Sequence, residues 1–556
     1  MSDETGAAGN TLATQIRDGY AFAGPAIQFG AAVVDGRTFP DAPVRIPLSV
    51  MNRHGLVAGA TGTGKTKTLQ LMAEQLSHNG VPVFLADIKG DLSGLASPGA
   101  GNPKITERSA QIGQEWVPTA YPTEFLSLGG LGEGIPIRAT ITAFGPTLLS
   151  KVLGLNETQE SSLGLVFHYA DKNGLALLDL KDLRAVITHL TSDEGKAELK
   201  TLGGLSKATA GVILRNLVAF EDQGADAFFG EPEFDTADLL RTAPDGKGLI
   251  TCLELPAVQD RPALFSTFLM WLLADLFHDL PEVGDLDKPK LVFFFDEAHL
   301  LFNGASKPFL DAIQQTVRLI RSKGIGVFFV TQSPKDVPSD VLAQLGSRVQ
   351  HALRAFTPDD AKALKAAVRT YPNTAYDLEE LLTSLGTGEA VVTVLSDKGV
   401  PTPVAWTRMR APESLMAPSP PALLTEAVAV SPLAAKYSTY LERESASEML
   451  GKAEIARTEA EKLAAQEAEN AKVRAAAAAA AEKERLAAEK AAAREAAKEA
   501  AAAEKARAAE ERRKAAEPGM VDKVVKSSAF KSMLRSAGTV IGREITRSVF
   551  GTSRRR

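Results

Sequence analysis

Cysteine is almost absent: Cys252 stands alone in 556 residues. Disulfide scaffolds and thiolate metal clusters are thereby excluded, and a reducing compartment suits the chain. Inside the apolar run 249–255, a lone thiol reads as core filling rather than as a nucleophile. Neither charge sign is in large excess. With 62 Lys and Arg against 68 Asp and Glu, the net charge is -6, so no overall electrostatic footprint for nucleic acid exists. A locally basic channel stays open. Long uninterrupted apolar stretches are also missing. The most apolar one, 264–280, carries Asp275 and His278 and reads as a buried helix rather than a membrane span. The first ten residues are acidic and rich in Gly and Ala, without a basic region leading an apolar one, so no signal peptide is read and a cytoplasmic location is expected. What remains is an ordinary globular composition, 45% hydrophobic and 23% charged, over a length that suits two or three domains.

Residues 1–45 read as a short β segment broken by Gly and Pro. From residue 46 the pattern changes to near-continuous apolar runs at 55–58, 81–86, 249–255, 291–295, 326–330 and 390–395. Helical stretches separate them, which predicts a parallel sheet covered on both faces in an α/β fold. The strand signal fades between 131 and 245, where helices are expected near 147–155, 158–173, 180–192 and 205–223. The reading is an α/β core in two halves, 46–130 and 246–412, around a helical insertion. Residues 413–440 read as a Pro-rich linker. Residues 441–517 are rich in Ala, Glu, Lys and Arg, with opposite charges three apart, as at Glu469 and Lys472, and lack a sustained heptad. They predict a long solvated helix rather than a coiled coil. The tail, 518–556, pairs apolar residues at helical spacing with nine basic residues, against Asp522 and Glu544. Such a segment can dock on an anionic membrane, on nucleic acid, or on its own α/β core or a neighbouring subunit.

The chemistry is carried first by Gly59-Ala60-Thr61-Gly62-Thr63-Gly64-Lys65-Thr66, which matches GxxxxGK[ST] at every fixed position between a strand and a helix. Its glycines let backbone N–H groups wrap phosphates, Lys65 reaches the β and γ oxygens, and Thr66 ligates magnesium. Lys67 follows on the first helical turn and completes the expected nucleotide-binding stretch. The apolar strand 291–295 ends in Asp296-Glu297. A capping pair is the bland alternative; beside a P-loop, Asp296 holds the magnesium shell and Glu297 polarises the attacking water. The run 326–330 ends at Thr331-Gln332, where Gln332 can sense the γ-phosphate, a plain turn being the alternative. Phosphoryl transfer also needs added positive charge, often an arginine from a neighbouring subunit. Arg321 is the first candidate, followed by Arg318 and Arg348. A glutamate after the strand-end aspartate, and the lack of an NKxD motif, favour ATP over GTP.

With these residues, several further segments resemble the HerA-helicase-like bacterial P-loop ATPases of the HerA/FtsK division, in their YjgR-type branch. They are the runs 84–94, 154–159, 280–285, 293–301, 331–334 and 399–403, and the resemblance spans about residues 20 to 412. It implies a RecA-like core that forms a homo-oligomeric ring, a hexamer, with ATP and Mg2+ between subunits and double-stranded DNA as the moved substrate. Lys65, Thr66, Asp296, Glu297 and Gln332 match the family's motif positions, and Arg321 matches the arginine-finger position. One departure concerns the β-barrel that precedes the P-loop in HerA, for which the 58 residues before Gly59 are too few. Two functions therefore stay open: a ring motor on DNA, or an ATPase that remodels a protein or membrane partner. A small-molecule kinase is disfavoured, because the Glu and Gln would be surplus to it.

Overall fold

The computed structural model describes residues 2–199, 203–284, 286–303 and 305–514. The basic tail at 518–556 lies outside them. The strands are β1 (Ala26–Val34), β2 (Arg37–Pro47), β3 (Gly55–Ala58), β4 (Val83–Asp87), β5 (Thr123–Leu128), β6 (Ile135–Ile137), β7 (Ile250–Glu254), β8 (Leu291–Phe295), β9 (Ile325–Thr331), β10 (Ser347–Gln350), β11 (Glu389–Thr393) and β12 (Ala405–Met409). They form one sheet in the order β2-β1-β12-β11-β10-β3-β9-β8-β4-β7-β5-β6. From β10 to β6 every pairing is parallel, and from β11 to β2 every pairing is antiparallel.

The parallel half follows directly from its sequence. β3, β4, β7, β8 and β9 are buried at every residue, and their period of two divides them between two cores. Phe84, Ala86, Phe293 and Phe295 face one side of the sheet. Val83, Leu85, Val292 and Phe294 face the other, with Leu69, Met72 and Leu76 of the helix Lys65–His78. The first side is covered by the helix Pro262–Asp279, through Leu264, Phe268 and Trp271, and by the helical layer of residues 141–221. Strand β9 separates β3 from β8, as in a RecA-like P-loop fold.

Several expectations need correction. The run near 390 is a strand, but β11 pairs antiparallel with both neighbours. A continuously apolar run reports burial on two faces and carries no direction. The amino-terminal segment is not a set of short strands. The helix Ser2–Gly19 precedes a hairpin of nine- and eleven-residue strands, and Tyr20 anchors it by donating to the Val392 and Pro403 carbonyls. The helical region contains the strand β6 as well as its helices. The Pro-rich segment 413–440 is no linker. Pro421 and Pro432 open the helices Pro421–Val430 and Pro432–Tyr437, where a fixed φ and a missing N–H are no handicap. Leu433 and Tyr437 are buried in the first core.

Residues 413–419 form a strap across the P-loop helix. Buried Glu74 accepts from the Glu413 and Ser414 N–H groups at 2.9 Å each, and Gln70 donates to the Leu415 carbonyl at 2.9 Å. The described residues divide into two units, with the boundary after residue 456. The helix Ala446–Lys514 begins in the first. There Ser445 Oγ and the Ser447 N–H donate to Asp182 Oδ1, at 2.5 and 2.9 Å, and Lys181 pairs with Glu448 at 2.7 Å. In the second unit, the helix runs on to residue 514 with Leu463, Val473 and Leu486 exposed, which fits the solvated-helix reading. At 69 residues it is about 100 Å long. Among the described residues, no helix is long and apolar enough to cross a membrane.

Candidate active site

The carboxyl ends of β3, β9, β8 and β4 lie side by side, the edge where open α/β sheets bind ligands. Their loops are stitched together by backbone hydrogen bonds. Gly59 N–H donates to the Thr331 carbonyl at 3.2 Å, His351 N–H to that of Ala58 at 2.7 Å, and Ala298 N–H to that of Val330 at 2.9 Å. The motifs at Gly59, Asp296 and Gln332, remote in sequence, therefore share one rigid edge.

The P-loop turns through Gly62 and Gly64, at φ +79° and +115°, conformations open to glycine at little strain. At Gly59 a Cβ would stand 2.5 Å from that of His351. Thr63 Oγ1 donates to the Ala60 carbonyl at 2.7 Å, and Lys65 Nζ reaches the same carbonyl at 3.2 Å. The helix Lys65–His78 starts at Gly64 without a side-chain cap, so its first-turn N–H groups and positive dipole end face the cradle. Thr66 lies on that turn. Lys67 points elsewhere. Its amine donates to Gln70 Oε1 at 3.2 Å and feels the charges of Asp91 and Asp87, so only its backbone is placed for phosphate.

Behind the cradle sits His351, fully buried. Its Nδ1 lies 2.9 Å from the Glu389 carbonyl and its Nε2 2.9 Å from Thr68 Oγ1. A carbonyl only accepts, so Nδ1 carries the proton and Nε2 accepts from the hydroxyl. Burial pushes this imidazole down to about 4.

Asp296 and Glu297 are 5% and 6% exposed, so both are carboxyls taken out of water. Asp296 Oδ1 accepts the Glu297 N–H at 2.9 Å, while Asp296 Oδ2 has no hydrogen-bond partner. Burial, then the adjacent Glu297 charge, push Asp296 up to about 7. Glu297 has φ +46°, a left-handed backbone that a non-glycine residue adopts only under constraint. Burial raises its carboxyl, but the Lys89 ammonium, His299 and Lys65 outweigh that and hold it below the usual range. Lys65 is depressed by burial and lifted again first by Glu297, then by Asp296, so all three groups share one electrostatic neighbourhood. The unmet Asp296 Oδ2, near enough to Lys65 of the cradle to feel its charge, suits a hard divalent cation. Asp296 and Thr66 would supply its protein oxygens.

Gln332 is exposed at the tip of β9, in a cleft shared with Thr61, Lys335, Asp336 and Arg354. Asp336 shapes this turn by accepting from Thr331 Oγ1 at 2.8 Å and from the Ser333 N–H at 2.9 Å. Arg321 is not at this edge. It precedes β9, near His54 at the opposite ends of the strands, where its charge helps lower a buried imidazole. The seven residues of β9 span about 23 Å at about 3.3 Å each, so Arg321 cannot serve the pocket of its own chain. Arg318 lines a groove with Asp311 and Gln314, and Arg348 is tied to Thr370. The arginine beside the cradle is Arg354, whose Nη2 donates to the Thr61 carbonyl at 3.3 Å.

Sequence reading singled out neither Lys89 nor His351. Lys89 ion-pairs with Glu297, while His299 Nδ1 lies 3.2 Å from Glu297 Oε2. The signal for Lys89 was its place two residues past the β4 tip. Asp87, at that tip, accepts the N–H groups of Lys89, Gly90 and Leu92 at 3.1, 2.7 and 2.8 Å and so shapes the loop. Next to it, burial and the Asp87 charge push Glu254 up to about 8.

The chain matches the family described as "Helicase HerA-like C-terminal" over residues 34–556. It is 24% identical to the DNA double-strand break repair helicase HerA of Sulfurisphaera tokodaii, over 63% of this chain and 64% of that one. It is 25% identical to the probable helicase MJECL08 of Methanocaldococcus jannaschii, over 61% and 63% respectively. The chain thus spans just under two thirds of the length of these relatives. Among solved structures, the plasmid coupling protein TrwB with an ATP analogue superposes at TM-score 0.47 and 18% identity, covering 72% of this chain and 99% of that one. VirB4 of Thermoanaerobacter pseudethanolicus superposes at TM-score 0.42 and 15% identity, covering 70% and 97%. With the family match running through the P-loop, the acidic pair and the glutamine tip, the chain belongs to the helicase HerA-like C-terminal family.

Proposed function

We propose that this chain is a magnesium-dependent ATPase that works as a homo-oligomeric ring motor, a hexamer, on double-stranded DNA. The observation that carries the reading is the meeting of Lys65 with Asp296 and Glu297 at the carboxyl ends of β3 and β8, the two strands that flank β9, although more than 200 residues separate them in the chain. The P-loop N–H groups and Lys65 bind and orient the triphosphate. Thr66 and Asp296 would hold magnesium, which would supply charge neutralisation on the phosphates. Glu297 takes the proton of the attacking water, and Gln332 orients that water. Arg321, out of reach of its own pocket, serves the pocket of a neighbouring subunit, which is the argument for a ring. The relatives named as helicases favour DNA as the substrate.

The test is steady-state ATP hydrolysis by the full chain, with and without double-stranded DNA and magnesium. Turnover should require magnesium and rise with DNA. Lys65→Ala should abolish it, and Glu297→Gln should bind ATP without turnover. Hydrolysis by Glu297→Gln near the parental rate would remove Glu297 as the base. Turnover indifferent to DNA would move the substrate to a protein or membrane partner.

A further inference from the structure

One oxygen of the proposed base is engaged, and the other, Oε2, has no hydrogen-bond partner. Lys89 Nζ pairs with Glu297 Oε1, and His299 Nδ1 stands 3.2 Å from Oε2. A carboxylate draws a proton from water through its negative charge, and an ammonium paired with one oxygen neutralises much of that charge for both. For Glu297 to act as a base at full strength the pair has to open. The two side chains are unequally free to do so. The Glu297 side chain is 7% exposed on a constrained backbone, whereas the Lys89 side chain is 48% exposed.

The backbone that carries Lys89 is fixed at both ends. Asp87 holds its start through three N–H groups. Farther along, Ser419 of the strap donates its N–H to Ser93 Oγ at 3.1 Å and its hydroxyl to the Ser93 carbonyl at 2.7 Å. At Gly94 a Cβ would fall 2.0 Å from the Leu415 carbonyl oxygen, so strap and loop are in close contact. The part left to move is the Lys89 side chain. It lies at the mouth of a site whose substrate carries several negative charges.

We propose that Lys89 is a latch on Glu297: a positioning residue that holds the base out of action until a nucleoside triphosphate draws its ammonium away. This rests on Glu297 being the base. Lys89 acts through Glu297, so its loss frees the base while leaving nucleotide affinity intact.

Steady-state kcat and KM are measured on the full chain with magnesium and ATP, alongside the Kd for a fluorescent ATP analogue. The set comprises the parent, Lys89→Ala, Lys89→Arg, Glu297→Gln and the Lys89→Ala/Glu297→Gln double variant. Lys89→Ala should raise basal kcat about threefold or more with Kd changed less than about twofold. Lys89→Arg, which keeps the ion pair, should stay within about twofold of the parent, and the double variant should be inactive. A basal kcat that is unchanged or lower in Lys89→Ala overturns the latch, as does a Kd weakened about tenfold, which would make Lys89 a phosphate ligand. An active Glu297→Gln protein would instead sink the assignment of the base, a failure visible without any Lys89 variant.

Discussion

Replacing His351 by Gln should give a stability difference that shrinks as the solution is acidified. His351 is fully buried and its imidazole is pushed down to about 4 from an ordinary 6.5. The sign follows from proton uptake. Between pH 6.5 and 4 the unfolded chain takes up a proton that the folded chain refuses, so acid favours unfolding there. Above about pH 7.5 neither state binds it and the contribution is flat. At pH 6 the loss is about 0.8 kcal/mol, and at pH 5 about 2 kcal/mol, from the ratio of the two binding polynomials. Glutamine does not titrate. At pH 8 the variant should be less stable by about 1–3 kcal/mol, since one of the bonds to Thr68 and the Glu389 carbonyl is lost. By pH 5 about 2 kcal/mol of that difference should have gone. Other groups with shifted pKa values, such as Asp296 and Glu254, are common to both proteins and cancel. Urea unfolding of the two proteins, followed by the fluorescence of Trp116, Trp271 and Trp406 at pH 8, 7, 6 and 5, measures it. A difference that stays constant to within about 0.5 kcal/mol would refute the claim that this imidazole is held neutral by burial.

Gly59→Ala should fold but lose nucleotide binding, because its methyl group would stand 2.5 Å from His351 Cβ; a fluorescent ATP analogue reads this directly. Phe293→Ala should cost about 3–5 kcal/mol in unfolding free energy, since it removes a fully buried ring that lies 4.8 Å from that of Phe84. Glu74→Gln should lower stability by about 1–3 kcal/mol, because an amide cannot accept all the strap's donors. Mixing Arg321→Ala with Glu297→Gln subunits should restore ATP turnover, since each pocket needs one good residue from each side. Inactivity at every mixing ratio would exclude Arg321 from action in trans.

The parallel half of the fold was legible because burial on both faces writes itself as short, wholly apolar runs, of which 291–295 is the plainest. The P-loop was equally plain, since its glycines and Lys65-Thr66 are adjacent in the chain. Direction was not legible: the apolar run at β11 is antiparallel, and nothing in Glu389–Thr393 records it. The prolines of 413–440 misled for a related reason. The residue that breaks a helix interior also opens a helix, and only the burial of Leu433 and Tyr437 tells the two apart. Partners brought together by tertiary structure were the hardest to see. Lys89 and Glu297 lie 208 positions apart and meet because β4 and β8 are neighbours in the sheet. His351 gave no sign of its role either, since a lone imidazole after a short strand has no motif.

The seating of the long helix has a mechanical consequence. Its first turn is fastened to Asp182 and Lys181, on a helix of the layer that covers the sheet. Tension applied along that rod would therefore reach the protein as a tug on Asp182, shared among short polar links that can give way one at a time. The strand edge that carries the phosphate cradle would be spared the first of the strain.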